Sequence, residues 1–153
     1  MKRAYVHMAI IIIGIAVALT GVLAYMRTNA DNANKLPVSL VRVGVTPFVV
    51  EVASTFADRA RGLSGHAPLG RNDGMLFVFP SPSAGAFWMD GMLYPLDFIW
   101  IAGGRVVGVT ENAPPLSMSG YKLYYPPVPV DYVLEVNAGT VKKFGIGAGN
   151  KVY

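Results

Sequence analysis

Two acidic residues stand inside runs of apolar residues, and they are the positions from which chemistry could come. Asp97 interrupts PLDFIWI, where alternation puts Asp97, Ile99 and Ile101 on one face and Phe98 and Trp100 on the other. Glu135 sits in DYVLEVN between Leu134 and Val136. A carboxylate buried without a partner is costly, so each group needs hydrogen bonds, a raised pKa or a place at a cavity mouth. For Asp97 the plain reading is a carboxylate that accepts backbone N–H groups from the preceding turn or pairs with Arg59 or Arg61. The sharper reading gives it a ligand-binding or acid/base role. Were Asp97 and Glu135 to converge, their pKa values would separate as a general acid and base require. The chain would then be a hydrolase-type enzyme using Asp97 with Glu135 or with an arginine.

A second group of residues suggests binding rather than catalysis. Trp88 and Met89 lie beside the turn region from Gly91 to Pro95, and Tyr121, Tyr124 and Tyr125 lie in the proline-rich stretch NAPPLSMSGYKLYYPPVPV. Together they could line an aromatic groove for a sugar, an extended peptide or a lipid tail. The candidate ligand-binding residues are therefore Arg59, Trp88, Met89, Asp97 and Tyr121. Core packing is the competing role for these side chains, and it is also the ordinary use of Met75, Met89 and Met92.

Several classes are excluded. The chain has no cysteine, which removes disulfides, thiolate metal sites and thiol catalysis. His7 and His66 are the two histidines, too few for a histidine metal cage, so no metal and no cofactor is expected. The glycines of GIGAGN lack the Gly-Lys-Ser/Thr of a phosphate loop. The formal charge of +4 is concentrated at the N-terminus: after residue 35 there are nine basic and eight acidic residues, without a basic stripe. Nucleic-acid binding is not expected from a domain so close to neutrality.

The elements that must position these residues are mostly strands. PFVVEVA (Pro47 to Ala53), MLFVF, DFIWIA, RVVGVTE and DYVLEVN are β-rich runs, and Gly103-Gly104 between two of them signals a hairpin. Thr55 with Asp58 three residues on resembles a capping box that opens one short helix, which Gly62 ends. A further helical turn is expected over AGTVKKFG (Ala138 to Gly145), and a last short strand at Lys151 to Tyr153. The proline-rich stretch reads as a long loop over one face. The expected fold is mostly β (α+β): a small β-barrel or sandwich-like domain with one or two short helices, preceded by one N-terminal transmembrane helix.

That helix is expected over residues 4–26, whose 23 residues include no acid, lysine or arginine. At about 1.5 Å per residue it would extend roughly 34 Å, enough for a hydrocarbon core of about 30 Å. Lys2 and Arg3 precede it, so the positive-inside bias puts the N-terminus in the cytoplasm and the domain outside, on a single-pass anchor in the cell membrane. Cleavage after the small residues Thr28-Asn29-Ala30 is the rival reading. The domain organisation is thus a signal anchor (1–27), a polar linker (28–37) and a β-rich domain (38–153).

Taken together, RARGLSG, DGMLFVF, FWMDGMLYPLDFIWI, RVVGV and DYVLEVNAG resemble the uncharacterised DUF192 (UPF0127) family over about residues 47 to 153. The resemblance implies a small β-rich fold, often behind a signal or anchor segment, and no established activity. The chain departs from the family pattern in two places. Ser64 stands where methionine often follows Gly-Leu, and Asp90-Gly91 stand where Lys and Asn often follow Trp-Met. With no recognised nucleophile arrangement, the function expected is a non-catalytic module that binds an envelope peptide, glycan or partner protein. The hydrolase reading is the alternative.

Overall fold

Runs of β-branched and aromatic residues build six strands in Leu36–Tyr153, the larger of two compact units of the chain. They are β1 (Val38–Val43), β2 (Thr46–Ala53), β3 (Asp73–Ser83), β4 (Leu96–Ala102), β5 (Arg105–Ala113) and β6 (Val130–Asn137). The structure is a computed structural model and describes residues 19–27, 35–116 and 120–153. The strands form one sheet in the order β1-β2-β3-β6-β4-β5. All pairs are antiparallel except β2 with β3, which run parallel and are joined through helix α1 (Phe56–Arg61). A parallel neighbour cannot be reached by a tight hairpin, which is why α1 and a long loop lie between these two strands.

Both expected helices form. Thr55 Oγ1 accepts from Asp58 N at 3.1 Å while the Asp58 carboxylate returns to Thr55, so the capping box is complete. Gly62, at φ 50°, ends α1 by donating its N–H to Asp58 O at 2.8 Å. The second helix, α2 (Thr140–Phe144), lies between Gly139 and Gly145. The hairpin at Gly103-Gly104 joins β4 to β5, with both glycines at positive φ.

Residues 149–153 bond to both edges of the sheet. Arg42 and Tyr153 exchange two backbone hydrogen bonds of 3.0 Å on the β1 side, and Val106 N donates to Asn150 O at 2.9 Å on the β5 side. The tail thereby pairs edge groups that would otherwise stay open to a second chain, and it accounts for the short strand expected at Lys151 to Tyr153. One face of the sheet packs Val41, Val43, Phe48, Val50, Ile99, Ile101, Leu134 and Val136 with Val141 of α2. The other packs Met75, Phe77, Phe98, Trp100 and Val133 with Leu63, Met89, Met92 and Tyr124. The proline-rich stretch covers part of this second face: Pro127 lies so close to Gly108 that a Cβ there would sit 2.9 Å from its Cγ.

The smaller unit is Met1–Lys35. Its residues 19–27 are helical, and Leu19, Val22, Leu23, Tyr25 and Met26 are exposed. Among the described residues no helix is long and apolar enough to cross a membrane. Most of the span expected at 4–26, and the linker up to residue 34, lie outside the described residues.

Candidate functional site

Asp97 and Glu135 stand on adjacent strands, and the register decides what each can do. Across the β4–β6 pair Asp97 is opposite Val136 and Phe98 is opposite Glu135. Opposed residues point to the same side of a sheet, so Asp97 projects with Val136 toward the Phe48 core and Glu135 with Phe98 toward the Trp100 core. The converging carboxylate pair considered from the sequence does not form.

Asp97 is fully buried and has two backbone donors. Its Oδ1 accepts from Asn112 N at 2.8 Å and its Oδ2 from Val141 N at 2.9 Å. The first donor lies in a bulge, since Asp97 alone separates Leu96 from Phe98 where Glu111 and Asn112 together separate Thr110 from Ala113. Asn112 takes φ 52°, a left-handed conformation that asparagine tolerates better than most residues. The carboxylate therefore ties the β5 bulge to the start of α2. Its donors come from Asn112 and Val141, not from the preceding turn or from an arginine. Arg59 instead donates through Nη1 to Ser54 O and to Val78 O, the latter at 2.9 Å, and its guanidinium lies 5.6 Å from the centre of the Phe79 ring. Arg61 stands 3.8 Å from Asp58 on the surface.

Glu135 lies in a cavity of about 210 Å³ beneath α1. Phe77 and Phe79 of β3 and Leu63, Phe87 and Met92 form its walls, while Phe56 and Trp88 stand at its mouth with 82% and 48% of their surface exposed. Phe87 organises the aromatic wall, meeting Phe77 edge-on at 5.2 Å and Phe79 at 6.3 Å. Gly62 is needed twice here: a Cβ would sit 3.2 Å from the Phe77 ring, beside the positive φ already noted. Glu135 itself is 5% exposed, and none of the described residues gives its carboxyl a hydrogen bond or an ion pair. Burial pushes its pKa up to about 8, so the group is held as a neutral acid near pH 7.

Glu51, Met75, Glu135 and Phe98 are successive partners across β2, β3, β6 and β4, which brings a second carboxylate to the same face. Glu51 Oε1 lies 3.3 Å from His66 Nε2. Tyr94 donates its hydroxyl to Ala67 O at 3.0 Å, and its pKa is raised by burial first and then by the charges of Glu135 and Glu51.

Of the residues singled out in the sequence, Arg59, Arg61, Trp88, Met92 and Glu135 come together in this cavity. Met89 is buried in the core beside it, and Tyr121 is exposed to solvent. The groove expected from Trp88 and the loop tyrosines is replaced by phenylalanines, because Tyr124 packs on Phe98 at 5.3 Å and Tyr125 faces out. Alternation along MLFVF did carry the missed signal, since it places Met75, Phe77 and Phe79 on one face. Among the described residues no group of three or more His, Asp or Glu is placed to hold a metal ion.

The model of the DUF192 family, described as an uncharacterized ACR, matches residues 39–153. The chain belongs to the DUF192 family. Two solved structures resemble it. One is a protein from Sinorhizobium meliloti 1021, assigned provisionally as a transcription regulator, with 32% identity, a TM-score of 0.71, and 78% of this chain and 95% of that chain covered. The other is a protein of unknown function from Novosphingobium aromaticivorans DSM 12444, with 32% identity, a TM-score of 0.72, and 77% and 86% of the two chains covered. No curated protein matches the chain. Within this DUF192 domain the two departures from the family pattern meet. Ser64 Oγ donates to Asp90 O at 2.7 Å, Gly65 N donates to Gly91 O at 2.9 Å, and a Cβ on Gly91 would lie 3.0 Å from that of Ser64. The FWMDGMLYPLDFIWI segment supplies Phe87, Trp88 and Met92 to the cavity and Asp97 to the opposite face.

Proposed function

We propose that this DUF192 domain is a non-catalytic binding module, held outside the cytoplasm by an N-terminal membrane anchor. Its cavity would receive one apolar or aromatic group of an envelope peptide, glycan or partner protein. The observation that carries this reading is the cavity beneath α1, about 210 Å³, with aromatic walls and a buried carboxyl. Size argues for the class of ligand. An apolar cavity of about 150 Å³ takes up benzene, whereas drug-sized sites begin near about 300 Å³. One side chain or ring fits, and a peptide or protein anchor is favoured over a lipid tail or an extended glycan. Ser64, the hydroxyl on its wall, is committed to Asp90 O, so among the described residues of the cavity no activated nucleophile supports turnover.

The tether is supported by the length and apolar character of residues 4–26, by the exposed apolar side chains of the helical segment 19–27, and by Lys2 and Arg3 ahead of it. The near-neutral charge of the domain speaks against a role that requires nucleic-acid binding. A photo-crosslinking side chain placed at Phe56 in cells tests the reading. The expected product is a discrete adduct in the membrane fraction that Trp88→Ala removes; the absence of any adduct would contradict it.

One observation keeps the hydrolase alternative as a second reading. A carboxyl held neutral near pH 7 can donate a proton, and Arg59 lines the same cavity. Asp97 drops out of that reading because its carboxylate serves the other face. Here Glu135→Gln would abolish turnover of a bound ester, amide or glycoside while leaving its binding intact.

A further inference from the structure

A carboxyl group that is buried, faces a cavity and has no partner is an unfinished interaction. Glu135 is 5% exposed, its neighbours in register are Met75 and Phe98, and no described residue donates to its oxygens. The walls around it are aromatic, from Phe77, Phe79, Phe87 and Trp88. Aromatic faces attract cations through their quadrupole, and the attraction grows when water is removed. This wall already holds one cation, since the Arg59 guanidinium lies over Phe79.

We infer that the cavity takes a primary ammonium group on an apolar stem, such as a lysine side chain of a partner polypeptide, with Glu135 as its counter-ion and the aromatic rings as its walls. The inference deepens the binding-module reading and rests on it. A neutral ligand would leave Glu135 as an ordinary hydrogen-bonding group in an apolar site. An ammonium satisfies both the carboxylate and the rings, and a charge-assisted hydrogen bond is roughly twice as strong as a neutral one.

The charged and titratable groups around Glu135 are compatible with this assignment. Both arginines line the cavity, but Arg59 is held by Ser54 O and Val78 O, and Arg61 stands 3.8 Å from Asp58. Burial is the cause of the raised Glu135 pKa, so neither arginine already acts as its counter-ion. Tyr94 is close enough to feel the charges of both Glu135 and Glu51, and Glu51 itself stands 3.3 Å from His66 Nε2. Because the carboxyl is protonated below about pH 8, binding an ammonium must release a proton. Amine affinity should therefore rise about tenfold per pH step from 6 toward 8 and level off above, while the amine, with a pKa near 10.4, stays charged.

The test uses the full chain in nanodiscs, with n-butylammonium and n-butanol as probes and the Trp88 indole resonance as the readout. Expected are at least a tenfold preference for the amine at pH 8, the pH dependence just given, and loss of the preference in Glu135→Gln through a larger fall in amine affinity than in butanol affinity. Equal binding of the two probes, a preference that survives Glu135→Gln, or amine binding that does not change with pH would each overturn the inference and leave the binding module standing. Failure of both probes to bind would overturn the binding-module reading as well. Should Glu135→Gln not fold, Phe79→Leu provides the second arm: amine affinity falls by a larger factor than butanol affinity, and an equal fall in both would overturn the inference.

Discussion

Phe98, and not Asp97, is the β4 residue opposite Glu135. A shift of one residue in that register would have put both carboxylates on one face, in the arrangement an acid/base enzyme needs. As the strands pair, one carboxylate holds a bulge to a helix and the other occupies a cavity. The division of roles between the two acids therefore comes from strand register.

Asp97→Asn should cost stability while sparing the cavity. A carboxylate accepts both the Asn112 and the Val141 N–H, whereas the amide has one oxygen and turns an NH2 toward the other donor. Hydrogen bonds to charged groups contribute about 1.5–3 kcal/mol each, so a loss of roughly 2–3 kcal/mol is expected. Urea unfolding checks it, with the Trp88 environment of the folded variant unchanged.

Glu135 should make stability fall with rising pH. Its carboxyl titrates at about 8 in the folded chain against a reference value of 4.5, so its contribution is fully present below about pH 4.5 and is lost as pH rises through about 8. At about 1.4 kcal/mol per pH unit the full effect is on the order of 5 kcal/mol. Comparing urea unfolding of the wild type and Glu135→Gln from pH 5 to 9 isolates this group. The wild-type curve should decline relative to the variant, and parallel curves would mean that Glu135 is not a buried acid.

Gly74→Ala should disturb the cavity floor from behind. A Cβ at Gly74 would sit 2.6 Å from the Glu135 carbonyl oxygen, a backbone atom that cannot rotate away. Strands β3 and β6 would have to separate, at a cost near the upper end of the about 1–3 kcal/mol typical of overpacking. Thermal unfolding gives the cost, and a shifted Trp88 signal would report the displaced floor.

Much of this is legible in the sequence. Hydrophobic runs marked β2 to β6, Thr55 and Asp58 marked α1, and alternation correctly put Asp97 with Ile99 and Ile101. Strand β1 is not evident in the sequence, because VSLVRV leaves Val38 and Leu40 exposed and gains its pairing from β2 and the C-terminal tail. The parallel β2–β3 pair and the β4–β6 register join residues far apart in the chain, which no local pattern encodes. The cavity depends on both, so Glu135 was recognisable as unusual while its surroundings were not. Tyr121 and Met89 have side chains suited to a binding groove, but Tyr121 faces solvent and Met89 packs in the core.

Two phenylalanines at the cavity should separate binding from folding. Phe87 touches Phe77, Phe79, Phe98 and Trp100, and Phe87→Ala should cost about 3–5 kcal/mol. Phe56 is 82% exposed at the mouth, and Phe56→Ala should change stability by no more than about 0.5 kcal/mol. Thermal unfolding measures both, and the Phe56 variant should lose affinity several-fold for any ligand of the cavity.

The central claim is that the space beneath α1 is a binding site, and titration of the full chain with toluene addresses it most directly. Resonances of the Trp88 indole and the Met92 methyl, which line that space, should shift and saturate together, with affinity several-fold weaker in Phe56→Ala. Shifts that never saturate, that centre elsewhere in the domain, or that are the same in wild type and Phe56→Ala would contradict the account.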